Sequence, residues 1–196
     1  MLDRVVVASN NPDKAREMRD VLLRLGLVGE VVEGLAWPEV AEEGATLEEN
    51  ARHKAEAVSR ATGLPALADD TGLEVRALGG RPGVRSARLA GQEATYEDNV
   101  AALLRALRGK GDRSATFRTV VVLAQPQGVT LVAEGRLEGR IAESPRGGGG
   151  FGYDPIFEVG GRTLAEMSVE EKNLVSHRRR ALEALATLLG RPSMPG

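Results

Sequence analysis

The feature that most constrains this chain is an apolar run that ends in two acidic residues, Ala66 to Val75. Its small and apolar residues predict a buried strand, and Thr71-Gly72 predicts a tight turn or bulge after which the extended pattern resumes. Asp69 and Asp70 then lie where the strand leaves the core. Because adjacent residues of a strand point to opposite faces, we expect one acid to face a reaction site and the other to brace the turn. A turn with two solvated acids is the alternative interpretation.

The composition favours a globular domain that binds a small ligand. The chain has 196 residues, 42% hydrophobic and 28% charged, which is enough to bury a core. Its formal charge of -2 does not indicate the basic surface that binds nucleic-acid polymers, so we expect no nucleic acid as a partner. There is no cysteine and there are only two histidines, which excludes thiolate chemistry and a Cys/His zinc site. Any metal would be a hard ion held by oxygen ligands.

The amino-acid sequence also indicates where the protein acts. Its first residues do not have the pattern of a signal peptide, and no apolar run approaches the length needed to span a membrane. We therefore expect a cytoplasmic protein with no membrane partner.

The N-terminal segment has the sequence pattern of a strand, a polar turn and a helix. Arg4 to Ala8 predicts a central strand, and Pro12 suits the first turn of a helix that ends at Gly26. A helix N-terminus with Lys14 one turn in can bind an anion. The alternative is a capped strand-to-helix connection without a ligand.

Further along, Val28 to Val32 predicts a second strand, and Thr46 with Glu49 forms the capping-box pattern of a helix. Asn50 and Lys54, four residues apart, share a face of that helix. Two segments, 115–124 and 129–137, predict an antiparallel hairpin and hence a mixed sheet.

A glycine run at 147–150 leads into Phe151-Gly152-Tyr153-Asp154. Four glycines permit close backbone approach, and two aromatic rings beside an acid can hold a planar heterocycle. A flexible linker is the alternative, although linkers do not usually end in such a sequence.

Taken together and in order, these segments resemble the inosine triphosphate pyrophosphatase family, which hydrolyses non-standard purine nucleoside triphosphates to the monophosphate and pyrophosphate. The segments that carry the resemblance cover nearly the whole chain: Ser9-Asn10-Asn11 with Lys14 and Glu17, Glu49-Asn50-Ala51 with Lys54-Ala55, Ala68 to Leu73, Gly80 with Pro82-Gly83 and Ser86-Ala87-Arg88, Gly149 to Pro155, and Glu171-Lys172 with Ser176-His177-Arg178.

The resemblance implies an α/β fold with a mixed, twisted central sheet. It also implies one elongated domain, 1–196, with two lobes and an active-site cleft between them, and a homodimer that requires Mg²⁺. It makes Asp70 the general base and, with Glu42, a metal ligand; Glu43 is the second choice. The residues that it assigns to triphosphate and nucleoside binding are Ser9, Asn10, Asn11, Lys14, Lys54, Thr71, Phe151, Gly152, Tyr153, Asp154, Lys172, His177 and Arg178.

Two other functions stay open at this point. One is a pyrimidine nucleotide pyrophosphatase of the related septum-inhibitor type, although the Phe-Gly-Tyr-Asp and Ser-His-Arg segments fit a purine better. The other is a nucleotide-binding module without turnover, for which the acid pairs at 42–43 and 69–70 are more than binding requires.

Overall fold

The computed structural model describes residues 2–190, in which eight strands and five helices are found. In chain order the elements are β1 Leu2–Val7, α1 Pro12–Arg24, β2 Val28–Val32, α2 Leu47–Thr62, β3 Ala66–Val75, β4 Pro82–Gly83, α3 Tyr96–Ala106, β5 Ser114–Ala124, β6 Thr130–Ile141, β7 Phe157–Val159, β8 Arg162–Thr163, α4 Val169–Val175 and α5 His177–Leu188. None of these helices is long and apolar enough to cross a bilayer.

The strands form one mixed sheet, as predicted. Its order is β2-β1-β3-β5-β6-β7-β8, and β4 pairs with β3. β1 pairs in parallel with β2 and β3, and α1 and α2 supply the crossovers that parallel strands need. The predicted hairpin is confirmed, because Gln125 donates to the carbonyl of Val129 at its tip and Ile141 donates to that of Arg113 at its base.

Of the tight turn or bulge predicted at Thr71-Gly72, the turn is wrong, because β3 is unbroken from Ala66 to Val75, and the bulge stays a prediction. Gly72 permits a close backbone contact instead: a Cβ there would meet the Gly83 carbonyl oxygen at 2.8 Å. The neighbouring Leu73 pairs with Gly83 in β4 and donates its N–H to the Ser86 hydroxyl at 2.8 Å. Gly72 therefore lets β3 pack closely against Gly83 of β4. Asp69 and Asp70 lie inside β3 and not at its end.

The described residues divide into two compact units, each with its own apolar core. The first comprises residues 2–70, 119–135 and 177–190, and the second comprises Thr71–Arg118 and Arg136–Ser176. The core of the first unit includes Val5, Met18 and Leu182, and that of the second includes Leu73 and Phe157. A single domain with a cleft between two lobes stays a prediction.

In the first unit, helix α5 lies very close to strand β6. A Cβ on Gly135 would collide with the His177 carbonyl oxygen and the Ala181 backbone nitrogen. Ala181, Leu182 and Leu185 are buried in the same core as residues of α1. Because Gly135 has no side chain, α5 can pack directly against β6. This contact positions His177 and Arg178, which lie in α5.

We predict that Gly135→Ala destabilises the protein by about 1–3 kcal/mol, because the added methyl group meets backbone atoms that cannot turn away. Urea unfolding at fixed protein concentration measures this. Gly148→Ala is the matched control, since a Cβ there meets nothing within 4 Å, and we expect it to change stability by less than about 0.5 kcal/mol. Equal stability of the two variants would show that the helix shifts without cost.

Candidate active site

Asp69 and Asp70 stand at the middle of β3 and are almost completely buried, with 1% and 4% of their surfaces exposed. Carboxylates are rarely buried without charged or hydrogen-bonding partners. Their side chains have different partners within the first unit, as expected for neighbours on a strand. The two acids therefore differ in environment.

Asp69 is the counter-ion of a buried arginine. The Arg178 Nε donates to Asp69 Oδ2 at 3.0 Å, and its Nη1 lies 2.9 Å from Glu17 Oε2. All three side chains are at least nine-tenths buried. Burial opposes ionisation of Asp69, but the charges of Lys14, Arg178 and Lys54 outweigh it and hold its pKa well below the usual range. Asp69 therefore stays an anion.

Asp70 accepts a hydrogen bond from the Asn50 side-chain amide at 2.9 Å. Burial raises the pKa of Asp70, and the charges of Lys14 and Lys54 and the Asn50 hydrogen bond offset that rise only in part. A carboxylate that binds a proton more readily than usual is suited to act as a general base.

Helix α2 positions both Asn50 and a lysine next to these acids. The Lys54 Nζ donates to Glu42 Oε1 at 2.6 Å and to the Asp69 carbonyl oxygen at 2.7 Å. Burial alone would lower the pKa of Lys54. The charges of Glu42 and the two aspartates outweigh burial and raise the pKa above its usual value, so the amine stays protonated. Asn50 also accepts the Gly44 N–H at 2.8 Å, which ties the loop that carries Glu42 to the helix.

The first unit offers oxygen ligands that suit Mg²⁺. Glu42 and Asp70 are close enough for the charge of Glu42 to raise the pKa of Asp70. Glu42 is half-buried and paired with Lys54, whereas Glu43 is exposed, so the geometry favours Glu42 of the two. Between residues 2 and 190 no three acids or histidines are placed to share a metal ion. Two carboxylates completed by water and phosphate oxygens are a usual set for Mg²⁺.

The polar turn before α1 is partly used by its own helix cap. Asn11 is the N-cap residue, and its side chain accepts the N–H groups of Asp13 and Lys14. These two N–H groups, which the helix N-terminus could otherwise offer to an anion, are therefore already hydrogen-bonded. Ser9 is bonded to Asn11, Asn10 is exposed, and Lys14 is half-buried with its charge acting on Asp69 and Asp70.

The second unit brings together three more predicted residues. Asp154 Oδ2 accepts from the Lys172 Nζ at 2.6 Å and from the Phe151 N–H at 2.8 Å. The Lys172 Nζ also lies 4.3 Å from the centre of the Phe151 ring. Asp154 and Lys172 are buried, and Phe151 is half-buried. An aromatic face held beside a lysine and a carboxylate can stack on a heterocycle and read its polar edge.

The glycines of this loop are needed for its shape. Gly150 has φ 71°, and a Cβ there would collide with the Asp154 carboxylate, while Gly152 has φ 62°. Both lie in the left-handed region that favours glycine. The run is therefore a turn that closes on Asp154, and the flexible linker is the wrong alternative.

Tyr153 and its neighbour Phe157 belong to the core of the second unit. The Tyr153 hydroxyl donates to the Ser86 carbonyl oxygen at 2.8 Å, and only 5% of the residue is exposed. Burial raises the pKa of that hydroxyl. Of the three aromatic residues in this segment, Tyr153 and Phe157 pack into the core. Phe151 is half-buried and is therefore the ring that can contact a ligand.

His177 is placed in the first unit and is buried. Its Nδ1 is hydrogen-bonded to the Thr119 hydroxyl at 2.5 Å. Thr71, half-buried, follows directly after Asp70 in β3. The roles of His177, Arg178 and Thr71 in holding a substrate stay predictions.

The structure thus brings together Glu42, Lys54 and Asp70 in the first unit and Phe151, Asp154 and Lys172 in the second. Asn50 was not among the predicted site residues, although its position on the same helix face as Lys54 and its place in a segment of the family resemblance both indicated it. Glu17 was also not among them, although it belongs with Lys14 to one of the segments that carry the family resemblance.

Comparison with known proteins agrees with this geometry. The sequence profile of the Ham1 family matches residues 5–188. The chain belongs to the Ham1 family. It is 52% identical to a protein of Thermus thermophilus named dITP/XTP pyrophosphatase, across 93% of this chain and 89% of that one. It is 48% identical to a protein of Geobacter sulfurreducens with the same name, across 96% and 98%.

Solved structures of the family share the fold. A HAM1 protein from Coxiella burnetii is 43% identical and superposes with a TM-score of 0.85, covering 97% of this chain and 99% of that one. The Ham1 protein of Staphylococcus aureus is 40% identical with a TM-score of 0.83, covering 96% and 98%. The resemblance and the fold class predicted from the amino-acid sequence are therefore confirmed.

We predict that Arg178→Met destabilises the protein by about 3–5 kcal/mol, because it leaves Asp69 and Glu17 as buried charges without their shared cation. Urea unfolding of the metal-free protein measures this. Arg180→Met is the matched control, since Arg180 is exposed on the same helix and should change stability by less than about 0.5 kcal/mol. A similar loss in both variants would contradict a structural role for the Arg178 charge.

Proposed function

We propose that this protein hydrolyses non-standard purine nucleoside triphosphates, dITP, ITP and XTP, to the monophosphate and pyrophosphate. The observation that carries the proposal is Asp70, a buried carboxylate with a raised pKa that is held by Asn50 beside Lys54 and Glu42. The proposal is supported by relatives about 50% identical that are named dITP/XTP pyrophosphatases. Such an enzyme removes these nucleotides from the cellular pool.

In the proposed reaction Asp70 takes the proton of the attacking water. Asn50 donates to one oxygen of Asp70 and so orients the carboxylate in a fixed direction. Asp69 keeps the charge of Arg178 neutralised by a stable ion pair, which leaves the neighbouring acid free to change its protonation state. The two adjacent aspartates thereby take different tasks.

The phosphate groups are assigned to the cations of the first unit. Lys54 stays protonated and can exchange its contact with Glu42 for a phosphate oxygen, and Lys14 adds a second charge near Asp69 and Asp70. Mg²⁺, held by Asp70 and Glu42, would neutralise phosphate charge and polarise the scissile bond. Ser9, Asn10 and Thr71 are the neutral polar groups that we assign to the same task.

The purine is assigned to the residues of the second unit. Phe151 supplies the stacking face, and the Lys172 ammonium and the Asp154 carboxylate supply a donor and an acceptor beside it. The backbone at Gly152 adds a side-chain-free surface. A 6-oxo purine presents acceptors to such donors, whereas adenine presents an amino group that leaves a donor unpaired.

His177 and Arg178 keep their sequence-based assignment to the nucleoside as a prediction. Their contacts within the first unit favour a further task, which is to hold Thr119 and the Asp69–Glu17 pair in place. The homodimer and the cytoplasmic location also stay predictions that rest on the family resemblance and on the sequence.

We predict that Asp70→Asn lowers turnover of ITP by about 10²- to 10⁴-fold while nucleotide binding persists, because the amide cannot accept the proton. Steady-state kinetics with excess Mg²⁺ measures turnover, and fluorescence titration with a non-hydrolysable analogue measures binding. Near-normal turnover would remove Asp70 from the mechanism.

Asp69→Asn is the matched variant, one residue away with the same change of side chain. It takes away half of the counter-charge of Arg178, so we expect mainly lower stability against urea. Equal losses of turnover from the two variants, with both proteins folded, would show that both acids take part in the chemistry.

We predict that ITP, dITP and XTP are cleaved between the α and β phosphorus atoms in one step, and that they have a higher kcat/KM than ATP, GTP and the pyrimidine triphosphates. A pyrophosphate assay over this panel, with chromatography of the nucleotide products, measures both. Nucleoside diphosphate and orthophosphate as first products would contradict the reaction. Preference for dTTP or UTP would favour the pyrimidine alternative, and no turnover of any triphosphate would favour a binding module.

A further inference from the structure

A pocket of about 730 Å³ lies at the end of α3 and is lined by none of the residues assigned to the reaction. The last turns of α3, the loop that follows it and the end of β6 form its walls, all within the second unit. Its charged side chains are five basic and one acidic: Arg105, Arg108, Lys110, Arg113, Arg140 and Glu143. The pocket is therefore strongly cationic in a chain whose formal charge is -2.

Of the five cations, Arg140 lies 3.8 Å from Glu158 Oε1, and within the described residues the other four form no ion pair. Arg105, Arg108, Lys110 and Arg113 form no ion pair with a carboxylate anywhere between residues 2 and 190. The nearby Asp112 is directed elsewhere, since it lies 3.6 Å from Arg76 and accepts the Ser114 N–H.

Exposed arginines elsewhere in the chain show the contrast. Arg4, Arg16 and Arg19 each lie within 3.0 Å of a carboxylate oxygen. The group of unpaired cations at the pocket therefore creates a local positive potential that a polyanion can neutralise.

One of the cations is fixed in position without being neutralised. The Arg113 Nε donates to the Ile141 carbonyl oxygen at 2.6 Å, and its Nη2 donates to that of Ala142 at 2.7 Å. Two neutral carbonyls orient the guanidinium but leave its charge in place. A donor held this way loses little conformational freedom when it binds an anion.

The loop after α3 lets a ligand approach the backbone. Gly109 has φ 73°, and a Cβ on Gly109 or Gly111 would meet nothing within 4 Å. In the described part of the chain the N–H groups of these two glycines donate to no other group. They can therefore donate to an oxygen-rich ligand.

Helix capping alone does not account for the charge. Basic residues at a helix C-terminus offset its partial negative charge, which explains Arg105 and Arg108 at the end of α3. Lys110, Arg113 and Arg140 come from the loop and from β6. More positive charge converges here than the helix end requires.

We propose that this pocket binds a small phosphate-bearing anion with at least two phosphate groups, either inorganic pyrophosphate or the triphosphate of a nucleotide. Arginine forks bind phosphate oxygens in pairs, and the four cations that lack an ion pair among residues 2–190 match several negative charges better than one. The volume exceeds that of a single phosphate, and the half-buried Ala101 and Leu104 give its wall an apolar part on which a sugar or base can pack. The site is separate from the residues of the proposed reaction.

The test is a nuclear magnetic resonance titration of the ¹⁵N-labelled, metal-free full chain with pyrophosphate and, separately, with ATP, at constant ionic strength. We expect the amide signals of Gly109, Lys110 and Gly111 to shift and saturate. In the double variant Arg108→Ala/Lys110→Ala we expect the affinity for pyrophosphate or ATP, taken from the saturation of these shifts, to fall by about tenfold or more, because two charge-assisted contacts are lost. Shifts with ATP that extend to Ala101 and Leu104 identify a nucleotide as the better ligand; their absence identifies pyrophosphate.

The matched control is Arg24→Ala/Arg60→Ala, which removes the same charge from the last turns of α1 and α2. It should leave the loop shifts unchanged. The proposal is overturned by any of three results: no saturable shift at the loop, equal shifts with chloride or sulfate, or binding of an oligonucleotide where pyrophosphate and ATP do not bind. The measured quantity is the shift of the loop amide signals, so the result does not depend on whether the proposed hydrolysis occurs.

Discussion

The ion pair between Asp69 and Arg178 is the interaction on which the candidate active site depends. A buried guanidinium needs carboxylates that stay ionised, and Asp69 and Glu17 supply them from β3 and α1. The contact also fixes α5 against the first unit, where Gly135 lets the helix approach the sheet. With Asp69 committed to this task, Asp70 is the acid whose protonation state can change.

The environment separates two chemically identical neighbours. Three cations act on Asp69 and keep its pKa low, whereas burial dominates at Asp70 and raises its pKa. Strand geometry makes this possible because adjacent side chains leave β3 in opposite directions. Helix α2 then supplies Asn50 and Lys54 from one face, so a single helix orients the proposed base and positions a charge for phosphate.

Local patterns in the amino-acid sequence predicted the elements well, because each depends on neighbours along the chain. The Thr46–Glu49 capping box and the strand at Val28–Val32 are found as predicted, and the hairpin predicted from 115–124 and 129–137 is formed by β5 and β6. The turn at Thr71-Gly72 was wrong because the need for glycine arises from Gly83, a contact distant in sequence. The role of Arg178 was likewise not predictable, since its partner Asp69 lies 109 residues away.

The most direct test of this account is a crystal structure with Mg²⁺ and an inosine triphosphate analogue whose α–β bridging oxygen is replaced by an imido group. The account predicts that the metal ion binds Asp70, while Arg178 stays paired with Asp69 and Glu17 as it is without ligand. A metal ion bound to Asp69 and not to Asp70 would contradict the division of tasks between the two aspartates.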